Sequence, residues 1–461
     1  MFSAILIFAT AAGSIAYLAA PRAAYRVTKR MPRGAWGLVG IWLTMLFGMG
    51  LWMGKHQGSS SIGQIEPSAA LQVGSVLIAL VFAAWRVLMG ANLRHLRGAL
   101  LLLFLYAAAG MLSSPLSLAP QFSLFKAASL SASVLIAALS IPLLRRQQSG
   151  NLLLNLTYYY FAGLVFLALI GGLVAPDLTH KPNNGIFRVM LEGWPPLNSN
   201  TLGSLAAIVA IVGFRRMFER GSAALRRIHL GLFVTGLCTL LLAQSRTSIA
   251  ALACALIFLC FCVGSLRHLR WWLVSVLFLA SVVLALSGPR SDFLLASLEY
   301  LKRGTDLESM LSLTGRLDLW DRAWNSFLGA PLLGNGFHAS AESGIAAHNA
   351  YLTVLMNSGL FGFLLWISAI LGTGLRLLRS GLRRRLSFRS AEDRFLAECL
   401  AVAIILALRT VTGSDLTIHA YSTMILLGYL VHRACSPSDG LQRRSVGSGG
   451  RHPQRSSLHR P

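Results

Sequence analysis

The sequence predicts an all-α polytopic membrane protein with about 12 to 13 transmembrane helices. Of its 461 residues, 55% are hydrophobic and only 12% are charged, whereas about 25% of the residues in a soluble domain are charged. Apolar runs also recur from end to end, each close to the roughly 20 residues that a helix needs to cross hydrocarbon. The runs do not alternate between polar and apolar residues, which favours helices over barrel strands. This composition excludes a soluble enzyme, a disordered protein and a secreted disulfide scaffold.

Thirteen apolar runs are the predicted spans: residues 2–20, 35–54, 69–90, 98–113, 122–144, 152–175, 201–217, 228–243, 248–266, 271–288, 350–375, 395–412 and 416–431. The first run has no basic residue before it and five directly after it. This order predicts a membrane-anchoring first helix rather than a cleaved signal peptide.

The segments between the runs alternate in charge. The basic segments are residues 21–34, 94–97, 145–146, 215–227, 267–270, 376–394 and the tail from residue 433. Because basic loops stay in the cytoplasm, the pattern predicts an outer N-terminus and a cytoplasmic C-terminus. The net charge of +25 then reflects topology, and no nucleic-acid partner is expected.

The predicted topology divides the chain into four regions. Residues 1–97 form N-terminal transmembrane helices, residues 98–375 a membrane core, residues 376–432 a C-terminal helix pair and residues 433–461 a disordered basic cytoplasmic tail. The core contains a long outer loop, 289–349, in which a helix with two faces is predicted before a proline. Its apolar side holds Leu317, Trp320, Trp324, Phe327 and Leu328, and its polar side Asp318, Asp321, Arg322 and Asn325.

Three arginines on the predicted outer side are candidate phosphate-binding residues: Arg188, Arg246 and Arg316. A guanidinium pairs bidentately with phosphate oxygens, so several on one face suit a pyrophosphate. Arg246 is the most informative, because a guanidinium at the mouth of a span must find an anionic partner or reach the interface. The alternative is interfacial anchoring, or pairing with carboxylates of the same loops (Glu192, Asp318 and Asp321).

Histidine is the commonest general base near neutral pH, and five lie on the predicted outer side: His56, His180, His338, His348 and His419. His348 stands apart because it directly precedes a span, where an apolar wall meets water. The stretch 334–339 formally matches a dinucleotide fingerprint, but no βαβ unit surrounds it. With neither a P-loop nor a metal-type cluster in the sequence, no cofactor and no metal are expected.

Several fragments occur in the order typical of one family. They are SPLSLAPQFSLFK (114–126), a G-x-x-x-x-N-x-N-T-L-G stretch (193–203), QSRTSIAAL (244–252), LTGRLDLWDRAW (313–324), PLLGNGF (331–337) and HNAYLTVLMNSGLFG (348–362). In these fragments the chain resembles the O-antigen ligase and polysaccharide polymerase superfamily over roughly residues 100 to 375. Members of that family are inner-membrane proteins of about a dozen spans that use undecaprenyl-pyrophosphate-linked glycans.

The resemblance implies roles for individual residues. Arg246 and Arg316 match arginines thought to bind the donor pyrophosphate, and Arg188 matches a further one more loosely. His348 matches the base that activates the acceptor hydroxyl, and Lys126 matches a basic residue after the first outer S-x-x-P segment. Asn349 and His338 are additional candidates. An acidic residue common before that proline in the family is absent here, which weakens the Lys126 assignment, and the extra N-terminal span is not universal in the family.

The resemblance implies a metal-independent glycosyltransferase of the bacterial inner membrane whose active site faces the periplasm. The preferred function is polymerisation of exopolysaccharide or O-antigen repeat units. O-antigen ligation to lipid A-core, protein O-glycosylation and transport of lipid-linked glycan stay open as alternatives. The expected partners are the undecaprenyl-pyrophosphate-linked glycan, a glycan or lipid A-core acceptor, the bilayer and other polysaccharide assembly proteins.

Overall fold

The computed structural model describes residues 33–50, 67–147, 149–174, 180–183, 186–189, 197–219, 222–262, 316–337, 343, 345, 347–384, 390–413, 416–417 and 420–436. These residues contain twelve α-helices, two short 3-10 helices and one β-hairpin. The helices are α1 (Arg33–Gly50), α2 (Pro67–Leu88), α3 (Ala99–Ser113), α4 (Pro120–Arg146), α5 (Leu152–Val174), α6 (Ser199–Arg216), α7 (Ala223–Ala243), α8 (Arg246–Cys262), α9 (Arg316–Gly329), α10 (Ala350–Arg384), α11 (Ala391–Thr412) and α12 (Tyr421–Cys435).

The predicted fold class, an all-α polytopic membrane protein, is confirmed. Seven of the described helices (α2, α3, α4, α5, α7, α10 and α11) are long and apolar enough to cross a membrane. Eleven predicted spans coincide with described helices. The predicted spans 2–20 and 271–288 and the predicted tail beyond residue 436 lie outside the described residues. The division into four regions stays a prediction.

Several helix boundaries differ from the predicted spans by a few residues, and those of α10 and α12 are the most informative. Helix α10 continues past residue 375 to Arg384, because its basic end is still compatible with helix outside hydrocarbon. Helix α12 begins at Tyr421 rather than at Leu416, whose backbone is left-handed with φ +66°. Helix α9 is the predicted two-faced helix, and it ends two residues before Pro331, as expected.

A short hairpin lies in the segment between α5 and α6. Strands β1 (His180–Asn183) and β2 (Ile186–Val189) pair antiparallel. Strand β2 packs against α5 and α7, so the hairpin covers one end of those helices.

Helix α6 is the centre of the bundle. It packs against α5, α7, α8 and α11, and residues 202–213 are buried without a break, as expected of a helix that is apolar on all sides. Gly236 of α7 allows close approach, because a Cβ there would lie 2.8 Å from the carbonyl oxygen of Ala206. Helix α2 lies further out and exposes large apolar side chains such as Leu77 and Val81, as expected of a surface that faces lipid.

A buried ion-pair network ties α5, α6 and α11 together. Arg216 meets Glu398 with two bonds, Nε to Oε2 at 2.9 Å and Nη2 to Oε1 at 2.7 Å, and Arg215 also pairs with Glu398. Nη2 of Arg216 donates to Oδ1 of Asn155 at 2.8 Å, and its guanidinium lies 4.8 Å from the ring centroid of Tyr158. Two arginines of a predicted basic connector are therefore interior residues.

The two ends of the bundle differ in chemistry. Helix α10 has 35 residues and is interrupted by a kink at Gly359, whose backbone is not helical; the part after the kink, residues 360–384, is about 37 Å long at about 1.5 Å per residue. Helix α10 begins just after His348 and ends among the basic residues 376–384, and α11 returns to the end at which α10 began. We call the end of the bundle at which α10 begins the site end, and we call the opposite end, which carries the basic residues 376–384, the basic end.

Candidate functional site

Arg246 is placed by a tight turn between α7 and α8. Gln244 ends α7 with a left-handed backbone, φ +50°. Ser245 is fully buried, and a Cβ on Gly203 of α6 would lie 2.4 Å from its Cβ. Oγ of Ser245 donates to Oγ of Ser248 at 2.9 Å. Because this turn is held on both sides, Arg246 becomes the first residue of α8, where it is half-buried.

Arg316 is the first residue of α9 and is also half-buried. The inner face of α9 packs against the start of α10 through a small apolar cluster of Ala323, Ala347 and Met356. The opposite part of its apolar side, which includes Trp324, is exposed. Helix α9 is therefore fixed to α10 on one side and free to contact lipid on the other.

The backbone around His348 is held from two helices. Nε1 of Trp320 on α9 donates to the carbonyl oxygen of Ala347 at 2.7 Å. Nδ2 of Asn349 donates to the carbonyl oxygen of Val411 on α11 at 3.2 Å. Between these anchors His348 has φ +47°, a left-handed conformation that is uncommon outside glycine. The structure thus fixes the position from which the imidazole projects.

Asn349 also caps α10. Its Oδ1 accepts the backbone N–H of Leu352 at 3.1 Å, which is the usual bond of a helix N-cap. Both ends of the Asn349 amide are therefore engaged by the fold, and a direct role of this residue in binding substrate stays a prediction.

The PLLGNGF loop, residues 331–337, locks α9 to α10. The backbone N–H of Leu360 donates to the carbonyl of Pro331 at 2.8 Å, and that of Asn335 donates to the carbonyl of Met356 at 2.9 Å. Residues 334–337 of the stretch that resembles a dinucleotide fingerprint are thus part of a clamp between α9 and α10, which helps to set where Arg316 lies relative to the start of α10.

Four basic side chains converge at the site end. Partial burial lowers the pKa of Arg316, and the charges of Arg246 and Arg409 lower it further. The imidazole of His348 is accessible, but partial desolvation followed by the charges of Arg316 and Arg409 lowers its pKa as well. Arg316 and Arg409 are therefore close enough to His348 to disfavour its protonated form, and Arg246 is close to Arg316.

The carboxylates considered as alternative partners do not neutralise this cluster within the described part of the chain. There, no ion pair joins Arg246 or Arg316 to a carboxylate. Asp318 and Asp321 are exposed on α9, and Glu192 lies outside the described residues. This leaves the cluster suited to an external anion.

Sequence reasoning missed Arg409. Nη1 of Arg409 donates to Oγ1 of Thr247 at 3.0 Å, which brings the last turn of α11 beside the first turn of α8. The only local signal is a single basic residue in an otherwise apolar last turn. That signal is equally typical of a residue at the edge of a span.

The other predicted site residues are placed less closely. Lys126 is buried on α4, with Nζ 5.3 Å from the ring centroid of Phe122 and 5.8 Å from that of Phe125. Helix α4 packs mainly against α1, α2, α3 and α12, a different group of helices. Arg188 lies on β2 opposite Lys181, and His338 lies outside the described residues. Their roles stay predictions.

Helix geometry adds to the anion-binding character of the site end. Helices α8, α9 and α10 all begin there. A helix N-terminus presents unpaired N–H groups and the positive end of the helix dipole. The site end therefore has the charge and the helix termini that suit a phosphate-type anion next to the imidazole of His348.

Comparison with known families agrees with this placement. Residues 231–367 match the family model described as O-antigen ligase, and no curated protein sequence matches the chain. The matched residues include Arg246, Arg316 and His348, whereas Lys126, Arg188 and Arg409 lie outside them. The match supports the resemblance seen in the motifs: residues 231–367 of this chain are similar to the O-antigen ligase family.

Proposed function

We propose that this protein transfers a glycan from an undecaprenyl-pyrophosphate donor to an acceptor hydroxyl. Arg246 and Arg316 bind the pyrophosphate, with Arg188 as a further candidate, and His348 is the general base. The observation that carries the proposal is the convergence of Arg246, Arg316 and His348, all of which lie inside the segment that matches the O-antigen ligase family.

The proposed reaction is a direct displacement at the anomeric carbon. His348 takes the proton from the acceptor hydroxyl, and the oxygen forms the new glycosidic bond as the bond to the pyrophosphate oxygen breaks. The lipid pyrophosphate leaves with the electron pair and the added negative charge, which the guanidiniums stabilise. The anomeric configuration inverts. Because the donor is already activated, the reaction is proposed to need neither nucleotide nor metal.

The lowered pKa of His348 suits this role, because a base must be unprotonated to accept a proton. Arg316, which helps to lower this pKa, is in the proposal partly neutralised when the donor binds. Donor binding then raises the pKa of His348 and makes its proton affinity greatest when the acceptor is to be activated.

The preferred product is a polymer of exopolysaccharide or O-antigen repeat units. Ligation of the glycan to lipid A-core fits the site equally well, and the description of the matching family favours it. The glycan profile of a deletion strain separates the two functions. Accumulated single repeat units indicate a polymerase, whereas free lipid A-core together with long unattached glycan indicates a ligase.

We further propose that the site end faces the periplasm and that the membrane is the bacterial inner membrane. Support comes from the opposite placement of the described basic connectors, which the positive-inside rule assigns to the cytoplasm. A donor carried on a lipid suits a site at the mouth of the bundle, where the apolar side of α9 is exposed.

The test is transfer by purified protein supplied with lipid-linked donor and acceptor. His348→Ala should lower the rate about 10²-fold or more, with donor binding retained. His95→Ala is the matched control, since His95 lies in a 3-10 helix (Leu93–His95) at the basic end, and it should transfer normally. Undiminished transfer by His348→Ala removes this residue from the mechanism. Movement of donor across the membrane without covalent product identifies a transporter instead.

A further inference from the structure

Arg409 lies at the site end without belonging to any of the sequence motifs. It is in the last turn of α11, only 5% exposed. It lies beyond the residues that match the O-antigen ligase family. A buried guanidinium at the mouth of a membrane bundle is a candidate binding residue, because ionisable groups in such places are rare and often mark a substrate path.

A hydrogen bond holds the guanidinium of Arg409 near Arg246, one of the proposed pyrophosphate-binding residues. Nη1 of Arg409 donates to Oγ1 of Thr247 at 3.0 Å, and Thr247 directly follows Arg246 on the first turn of α8. This bond fixes the guanidinium of Arg409 beside the turn that carries Arg246.

The same turn of α11 is tied to the general base. The carbonyl oxygen of Val411, two residues after Arg409, accepts the side-chain N–H of Asn349 at 3.2 Å. Asn349 directly follows His348. The end of α11 therefore joins the turn that carries Arg246 to the segment that carries His348, and it belongs to the wall of the site.

A purely structural role for Arg409 is the simplest alternative. Cations favour helix C-termini by about 0.3–1 kcal/mol through the helix dipole. The charge of Arg409, however, also lowers the pKa of Arg316 and of His348, so it lies close enough to repel other cations of the site. Crowding of like charges is unfavourable in an empty site and favourable once a polyanion is bound.

We propose that Arg409 is a third pyrophosphate-binding guanidinium, which contacts the donor from α11 while Arg246 and Arg316 contact it from α8 and α9. The identity of the ligand, a lipid-linked pyrophosphate, rests on the proposed function. Three forks from three helices match an anion with two phosphate groups better than one with a single phosphate. Arg409 thus contributes to selection of a pyrophosphate over a monophosphate.

Selection between the two phosphates is measured on full-length protein in lipid nanodiscs, with undecaprenyl pyrophosphate and undecaprenyl monophosphate as probes. Arg409→Gln should weaken pyrophosphate binding at least 10-fold and monophosphate binding much less. Arg409→Lys keeps the charge but loses the fork, and it should weaken pyrophosphate binding several-fold. Arg86→Gln is the matched control: Arg86 also lies in the last turn of an apolar helix, α2, and both affinities should stay unchanged.

The outcomes separate this inference from the proposed function. If Arg409→Gln keeps the preference for pyrophosphate while Arg246→Gln loses it, Arg409 is only structural and the proposed function stands. If the unmodified protein prefers neither lipid and Arg246→Gln changes nothing, the proposed function itself fails. If Arg409→Gln does not fold, Arg409→Lys decides, and full pyrophosphate affinity in that variant overturns the inference.

Discussion

The indole Nε1 of Trp320 and the carbonyl oxygen of Ala347 form a 2.7 Å hydrogen bond that joins α9 to the residue before His348. Helix α9 begins with Arg316, one helical turn before Trp320. This single bond therefore links the helix of a proposed phosphate-binding residue to the backbone of the proposed base. Because His348 has the uncommon φ of +47°, its orientation depends on such neighbours more than on its own conformational preference.

Trp320→Phe removes the donor and keeps an aromatic ring in place. The lost hydrogen bond is expected to cost about 1 kcal/mol of stability and to let the segment at His348 relax, so kcat should fall several-fold while KM for the donor changes little. Steady-state kinetics and thermal unfolding measure the two effects. Trp324→Phe on the exposed side of α9 is the control and should leave kcat intact. Equal effects of the two substitutions would show that the bond to Ala347 does not position the base.

The pH dependence of transfer should reveal the charges around His348. Partial burial, Arg316 of α9 and Arg409 of α11 all lower its pKa, so activity is lost on acidification only below the ordinary histidine pKa of about 6.5. Arg316→Gln removes a positive charge and should move the acid limb of the kcat/KM profile to higher pH, whatever the height of the plateau. An acid limb that stays in place in this variant contradicts the electrostatic coupling.

Gly359 is required by the clamp between α10 and the PLLGNGF loop. Its backbone, with φ +61° and ψ −167°, is essentially restricted to glycine, and a non-glycine residue there is strained by about 1–3 kcal/mol. A Cβ would also lie 2.3 Å from the carbonyl oxygen of Leu332. Gly359→Ala should therefore lower the unfolding temperature and the activity together.

Gly372 provides the comparison within the same helix, because no atom lies within 4 Å of a Cβ placed there. Gly372→Ala should be neutral or stabilise α10 by up to about 1 kcal/mol. Thermal unfolding in detergent measures both variants, and a similar midpoint for the two would refute the clamp.

Breaking the buried network at the basic end should be strongly destabilising, because it leaves buried charges uncompensated. Glu398→Gln leaves Arg215 and Arg216 with one neutral amide in a dry site, and such changes cost about 3–5 kcal/mol. Glu219→Gln removes a carboxylate that also pairs with Arg215 but is 34% exposed, and it should cost at most about 1 kcal/mol. The unfolding midpoints of the two variants test which substitution costs more stability. A Glu398→Gln variant as stable as the Glu219→Gln variant would contradict the prediction.

Local patterns were sufficient to predict the helices and part of the site. Eleven spans could be predicted because a membrane-spanning helix appears in the sequence as one continuous apolar run. Helix α9 could be predicted because its apolar residues recur at helical spacing. Arg246, Arg316 and His348 could be singled out because each lies in a short motif on the predicted outer side. The hairpin at Arg188 could not be predicted, since its strands have only four residues each.

The sequence by itself determined the fold class, the order of the helices and three of the four basic residues at the site end, because these depend on side chains that are near one another in the chain. Only the tertiary structure decided that Arg409 joins them, through a bond to Thr247 that spans 162 residues. It also decided that Arg216, part of a predicted basic connector, is instead buried against Glu398, 182 residues away. The physical reason is the same in both cases. The partner of each guanidinium is distant in the sequence, so it can be identified only once packing has brought the two helices together.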